Sequence, residues 1–109
     1  MTIIQPGEFW VADIPFTDGS ASKKRPVLVL WLDGSDAAVA AVTTAAPRSK
    51  TDIALQDWKK EGLRKVSVVR LSRLDCLEQT LLLARLGVIT RKDARKISDA
   101  WSRYIKPQF

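Results

Sequence analysis

The chain has 109 residues, 46% of them hydrophobic, which suits one domain over residues 1–109 with an ordinary core. It contains no histidine and a single cysteine, which excludes histidine-based acid–base catalysis, His-containing metal sites, cysteine cages and intrachain disulfides. Eighteen Lys and Arg against twelve Asp and Glu leave +6, an excess that favours polyanionic partners without choosing between nucleic acid, anionic membrane and acidic protein. No run approaches the ~18 apolar residues of a membrane span. The opening MTIIQPGEFW lacks the basic start and apolar stretch of a secretory signal, so a cytoplasmic protein with no membrane association is expected.

Residues 8–14 (EFWVADI) are rich in aromatic and β-branched types and predict a strand ended by Pro15. FTDGSASKK has the composition of an exposed loop. RPVLVLWL from Arg25 predicts a second strand, its unbroken apolar run requiring cover on both faces or a partner chain. Asp33-Gly34-Ser35 supplies turn chemistry, so 37–44 (AAVAAVTT) returns as a hairpin. After a loop through AAPRSKT, DIAL is a short edge strand, and QDWKKEGL is one helical turn stopped by Gly62. KVSVVRLSRL alternates as a strand. LLLARLGVI is compatible with a strand or a helix end, and is read as a strand broken near Gly87. Thr90-Arg91-Lys92-Asp93 opens a helix with Thr90 as cap and Asp93 in the reciprocal position, after which Ala94, Ile97, Trp101 and Ile105 recur at helical spacing. The fold class is therefore mainly β with a C-terminal α-helix, a small curled sheet or barrel.

The densest positive charge, Lys23-Lys24-Arg25, runs directly into a proline and an apolar strand. Together with what surrounds it, this stretch carries a resemblance. GEFWVADIPFTDGSASKKRPVLVL, followed by AAVTT, DIAL and SVVRLSRL, resembles the MazF/PemK family of toxins. The resemblance spans Gly7 to about Trp101. It implies an SH3-like barrel with a terminal helix, a homodimer, and cleavage of single-stranded RNA at short sequence motifs with no metal or other cofactor. It also implies silencing by a cognate acidic antitoxin, through which the complex can reach operator DNA.

Residue by residue, the family's functional arginine at the loop–strand junction falls on Arg25 and its threonine at the strand end on Thr43, beside Thr44. An arginine catalytic in PemK-like members falls on Arg70. Some members carry a glutamate before the first arginine, where GSASKK has none, and PemK-like members can carry an aspartate where this chain has Ser72. Asp18, the nearest acid in sequence to Arg25, is then the candidate for proton transfer, with Ser72 as a phosphate-orienting hydroxyl and Asp13 structural. Phe16, Lys23, Lys24, Thr44, Arg48 and Lys50 are expected to contact substrate. Trp58, in a polar segment, is expected to be exposed for base stacking, whereas Trp10, Trp31 and Trp101 are expected in the core or a dimer interface.

Chemistry read from the residues agrees. Cleavage by the substrate's own 2′-hydroxyl needs charge stabilised on phosphoryl oxygens, which a guanidinium fork and a threonine hydroxyl supply. Two other classes compete: a non-catalytic inhibitor of a cellular protein, like the CcdB gyrase poisons that resemble the same barrel, and a relative that binds RNA or antitoxin without cutting.

Overall fold

The computed structural model describes residues 3–15 and 18–109; Phe16, expected above to contact substrate, lies outside them. Strands β1 (Glu8–Pro15), β2 (Ser22–Asp33), β3 (Asp36–Thr43), β4 (Asp52–Ala54), β5 (Val68–Glu78) and β6 (Leu82–Val88) form one sheet in the order β4-β5-β3-β2-β1-β6. All neighbouring strands are antiparallel. The sheet does not close, because its end strands β4 and β6 are not partners. Helix α1 (Arg91–Tyr104) follows. None of the described helices is long and apolar enough to cross a membrane.

Side chains alternate across a strand, so an unbroken apolar run buries both faces. Val27 and Val29 join Trp10, Ala12, Val39 and Leu77 in one buried cluster. Leu28 joins Phe9, Val42, Val69 and Leu71 in another, against which Ile97 and Ala100 of α1 pack. A fully buried Val, Leu or Phe contributes about 1.5–3 kcal/mol, so stability resides in this two-faced centre and the strand ends can be polar. Beyond a bulge at Leu30, Trp31 emerges 44% exposed and meets Trp101 edge to face, with ring centroids 5.8 Å apart.

Two local expectations are revised and one is met. Lys23 and Lys24 belong to β2, where Asp13↔Lys24, Ile14↔Lys23 and Pro15↔Ser22 prolong the ribbon with β1; an exposed two-stranded ribbon tolerates the polar composition of a loop. The QDWKKEGL segment forms the single helical turn expected, stopped at Gly62. Glu61 N–H donates to Asp57 at 3.1 Å, and the turn closes with Leu63 N–H on Trp58 C=O and Gly62 N–H on Lys59 C=O. Gly62 has φ +88°, as this Schellman pattern requires, and a Cβ there would meet the Leu86 carbonyl oxygen at 2.1 Å.

The helix start differs in its second half. Thr90 Oγ1 accepts from Asp93 N–H, but the Asp93 carboxylate, one methylene short of a glutamate, instead accepts Gln56 N–H and Asp57 N–H at 3.0 and 2.9 Å. The orphan Thr90 N–H goes to Glu61 Oε2 at 2.9 Å, and Thr90 Oγ1–H donates to Asp57 Oδ2 at 2.7 Å. Buried carboxylates thus bind the helix to the turn before it. Burial, with Asp93 and Asp57 close by, pushes the Glu61 carboxyl up to about 7. Glu8 is buried too. Burial works against its charge, but hydrogen bonds from Gln5 N–H, Trp10 Nε1 and Arg85 Nε outweigh it and hold the carboxyl below its ordinary value.

Candidate nucleic-acid interface

Pro26 lacks a backbone N–H, so a strand containing it loses a ladder bond on one side. The β2–β3 ladder accordingly starts at Val27↔Ala41, after the proline. Upstream of it Ser22–Pro26 pair only with β1, while Val42 and Thr43 pair only with β5. The sheet therefore parts between Arg25 and Thr43. A cleft of ≈ 210 Å³ opens there, with Lys23, Arg25, Thr43, Thr44 and Ser67 at its walls. Lys23 and Arg25 share one face of β2; Lys24 alternates onto the other and lines none of these clefts.

A second irregularity completes the site. Ala41 faces Arg70, yet Ala40 faces Leu74, so Leu71, Ser72 and Arg73 form a multi-residue bulge in β5. Regular alternation would separate Arg70 and Arg73 onto opposite faces. The bulge instead brings both to one ≈ 110 Å³ cleft with Arg25 and Thr43. Thr43 Oγ1 accepts Ala45 N–H at 3.2 Å, leaving its own proton free to donate.

Arg70 is held from behind by Asp52, whose side chain is 1% exposed. Asp52 Oδ2 lies 3.8 Å from Arg70 Nε and 3.6 Å from Arg48 Nε, and accepts Arg48 N–H at 2.9 Å. Among the described residues Arg25 and Arg73 form no ion pair, so two unneutralised guanidiniums face one small cleft. Their mutual repulsion is relieved by an anion.

Neighbouring clefts share lining residues. Pro26, Thr44 and Ser67 link the Arg25–Thr43 opening to a ≈ 290 Å³ cleft bearing Arg64 and Lys65. In the other direction Arg25 and Arg73 are shared by the ≈ 110 Å³ cleft and a ≈ 320 Å³ cleft bearing Asp75. The result is a basic groove across the end of the sheet.

The structure thus brings together Arg25, Thr43, Arg70, Lys23 and Thr44, and places other expected site residues elsewhere. Asp18 Oδ1 accepts Ser20 N–H and Oγ–H at 3.0 and 2.7 Å; the backbone bond, then the hydroxyl, hold its carboxyl below the ordinary value, and it lines none of the groove. Ser72 is exposed on the bulge and also lines none of it. Lys50 Nζ sits over the Tyr104 ring, 5.6 Å from its centroid. Trp58 is half-buried against the core rather than exposed, because the turn carrying it folds onto the sheet. Sequence reasoning missed Arg73, Asp52, Arg64 and Lys65. The second arginine of RLSR was the available signal for Arg73, but only the bulge turns it inward. No acid lines the cleft of Arg25, Thr43 and Arg70 among the described residues.

Comparison with known proteins bears on the fold and the family. A mycobacterial endoribonuclease superposes with a TM-score of 0.73 at 19% identity, over 94% of this chain and 90% of that chain. A mycobacterial endoribonuclease solved in complex with its cognate antitoxin gives 0.75 at 18% identity, over 92% of each chain. MazF from Deinococcus radiodurans gives 0.69 at 16% identity, over 92% of this chain and 94% of that chain. No curated protein sequence matches. The sequence profile described as "PemK-like, MazF-like toxin of type II toxin-antitoxin system" matches residues 5–104. This chain belongs to the PemK-like, MazF-like family of toxins of type II toxin–antitoxin systems.

Proposed function

We propose that this protein is a metal-independent endoribonuclease that cuts single-stranded RNA in the groove at the β2–β3 opening. The observation that carries the reading is the convergence of Arg25, Thr43 and Arg70 on one cleft, two cations and a free hydroxyl donor around a space for a phosphate. In the reaction the 2′-oxygen attacks phosphorus and the bond to the 5′-oxygen breaks, giving a 2′,3′-cyclic phosphate and a 5′-hydroxyl. The 2′-hydroxyl loses its proton to solvent and the 5′-oxygen gains one. Arg25 and Arg70 stabilise the charge growing on the phosphoryl oxygens, and Thr43 adds a hydrogen bond. Lys23, Thr44, Arg64 and Lys65 hold the flanking strand along the groove.

Incubating purified protein with a long unstructured RNA in excess EDTA tests this. Cleavage with cyclic-phosphate and 5′-hydroxyl ends is expected; activity abolished by EDTA and restored by magnesium overturns it. One observation favours a second reading. With no acid in the cleft, the protein could bind RNA without cutting it, and binding without products in the same assay identifies that case.

The partner follows from the same groove. Two of the similar structures contain an antitoxin: the mycobacterial complex named above, and a MazE–MazF complex from Deinococcus radiodurans. For this chain the silencing partner is an acidic, flexible antitoxin segment that folds over the basic groove of a homodimer and excludes RNA. Operator DNA is reached through that antitoxin. Titrating it against toxin bound to uncleavable RNA should release the RNA, with association slowing as salt rises. A stable ternary complex with unchanged RNA affinity rejects this mode of inhibition.

A further inference from the structure

The ≈ 320 Å³ cleft at the Asp75 end of the groove differs in character from the small cleft beside it. Ile14 and Leu74 contribute apolar lining beside the buried Val27 and Val39, and Arg25, Arg73 and Asp75 supply polar groups. Its volume lies at the lower end of the ~300–1,000 Å³ of small-molecule pockets, with their usual apolar lining and few placed polar groups. The ≈ 110 Å³ cleft has room for a phosphate, and Arg25 and Arg73 belong to both. A nucleotide whose phosphate lies between these arginines is next to the larger cleft, which can take its base.

Asp75 is the unexpected member. It follows the β5 bulge, opposite Val39, and among the described residues it forms no ion pair although two arginines line the same cleft. An unpaired carboxylate in a groove built for a polyanion opposes binding unless it has a donor to meet. Carboxylates are acceptor-only, with two oxygens side by side. Among RNA bases, guanine alone offers two adjacent donors, N1–H and N2–H, on its Watson–Crick edge. Adenine and cytosine place an acceptor next to their amino group, and uracil flanks its one N–H with two carbonyls.

We infer that this cleft is a nucleobase subsite in which the Asp75 carboxylate selects guanine next to the phosphate gripped by Arg25 and Arg73. The inference rests on the RNA reading proposed above and gives that site a base preference.

The test uses binding, so that it does not depend on cutting. Full-length protein is titrated by fluorescence anisotropy against uncleavable 2′-O-methyl uridine hexanucleotides, either all-uridine or with one internal guanosine, inosine, adenosine or cytidine. The guanosine oligonucleotide should bind roughly 5- to 150-fold tighter than the uridine, adenosine and cytidine ones, the range of a good bidentate base contact. Inosine, which lacks the N2 amino group, should fall between. Asp75→Ala and Asp75→Asn should erase the preference, and removing the charge should leave uridine-only binding unchanged or tighter. Asp75 is exposed, so neither variant threatens the fold. Equal affinity for all five oligonucleotides, a preference for another base, or a guanosine preference that survives in both variants overturns the inference while RNA cleavage stands. Guanosine selectivity without cleavage in EDTA leaves the subsite standing and overturns the nuclease. No binding to any oligonucleotide overturns both.

Discussion

Asp52 Oδ2 lies 3.8 Å from Arg70 Nε, an ion-pair distance rather than a hydrogen bond, and the Asp52 side chain is 1% exposed against 12% for Arg70. The carboxylate thus anchors the inner edge of the guanidinium while Arg70 lines the cleft that also holds Arg25 and Thr43. Asp52→Asn keeps an acceptor for Arg48 N–H but removes the charge. It should destabilise the fold by about 1–3 kcal/mol, the cost of leaving a buried polar partner unmatched. It should also lower the cleavage rate, because Arg70 loses its fixed orientation. Urea unfolding and single-turnover cleavage measure the two effects, and an unchanged midpoint with an unchanged rate removes Asp52 from the site.

Arg25 and Thr43 should behave differently from Asp52, since neither is a buried charge. Arg25→Ala and Thr43→Val should each reduce cleavage by about 10²–10³, typical of a lost donor to a developing oxyanion. The unfolding midpoint should barely move. Folded variants that cut at the unsubstituted rate put the chemistry elsewhere.

Ser72 occupies the position where PemK-like relatives can carry an acid, but it projects from the bulge and lines no part of the groove. Ser72→Asp should therefore give no acceleration in single-turnover cleavage. A tenfold or greater gain would mean that a carboxylate at this position reaches the scissile phosphate after all.

Glu61 gives the fold a pH dependence of known sign. Its folded carboxyl titrates at about 7, above the ordinary 4.5, so between these values the folded state binds the extra proton. Stability from this group is full below about 4.5 and is lost as pH rises through about 7. Glu8 and Asp18, both held below their ordinary values, contribute in the opposite sense and only in more acidic solution. Thermal unfolding should show a falling Tm from pH 5 to 8, and Glu61→Gln, which still accepts from Thr90 N–H, should flatten that slope. An equal slope in both proteins rules out Glu61 as its source.

Much of the architecture is legible in the residues. The apolar run after Pro26 dictates a strand covered on both faces, Asp33-Gly34-Ser35 a hairpin, Gly62 the end of a turn, and Thr90 a helix start. Each depends on neighbours in sequence: alternation, turn dihedrals, a cap. The groove could be anticipated only in part. Arg25, Thr43 and Arg70 are legible only through family resemblance, and Pro26 explains locally why the sheet parts beside the first two. The rest was set by pairing between distant segments. Three extra residues in β5 opposite Ala40–Ala41 turn Arg73 inward and leave Ser72 outside, though strict alternation predicts the reverse association for Arg70 and its neighbours. Asp52 meets Arg70 because β4 pairs with β5 in the register Asp52↔Arg70. Glu61 reaches Thr90 because Gly62 and Gly87 let two backbones approach where a Cβ would clash. Composition fixes the positive charge of this protein, but register and bulges, which minimise unpaired backbone groups over the whole sheet, decide which charges share a cleft.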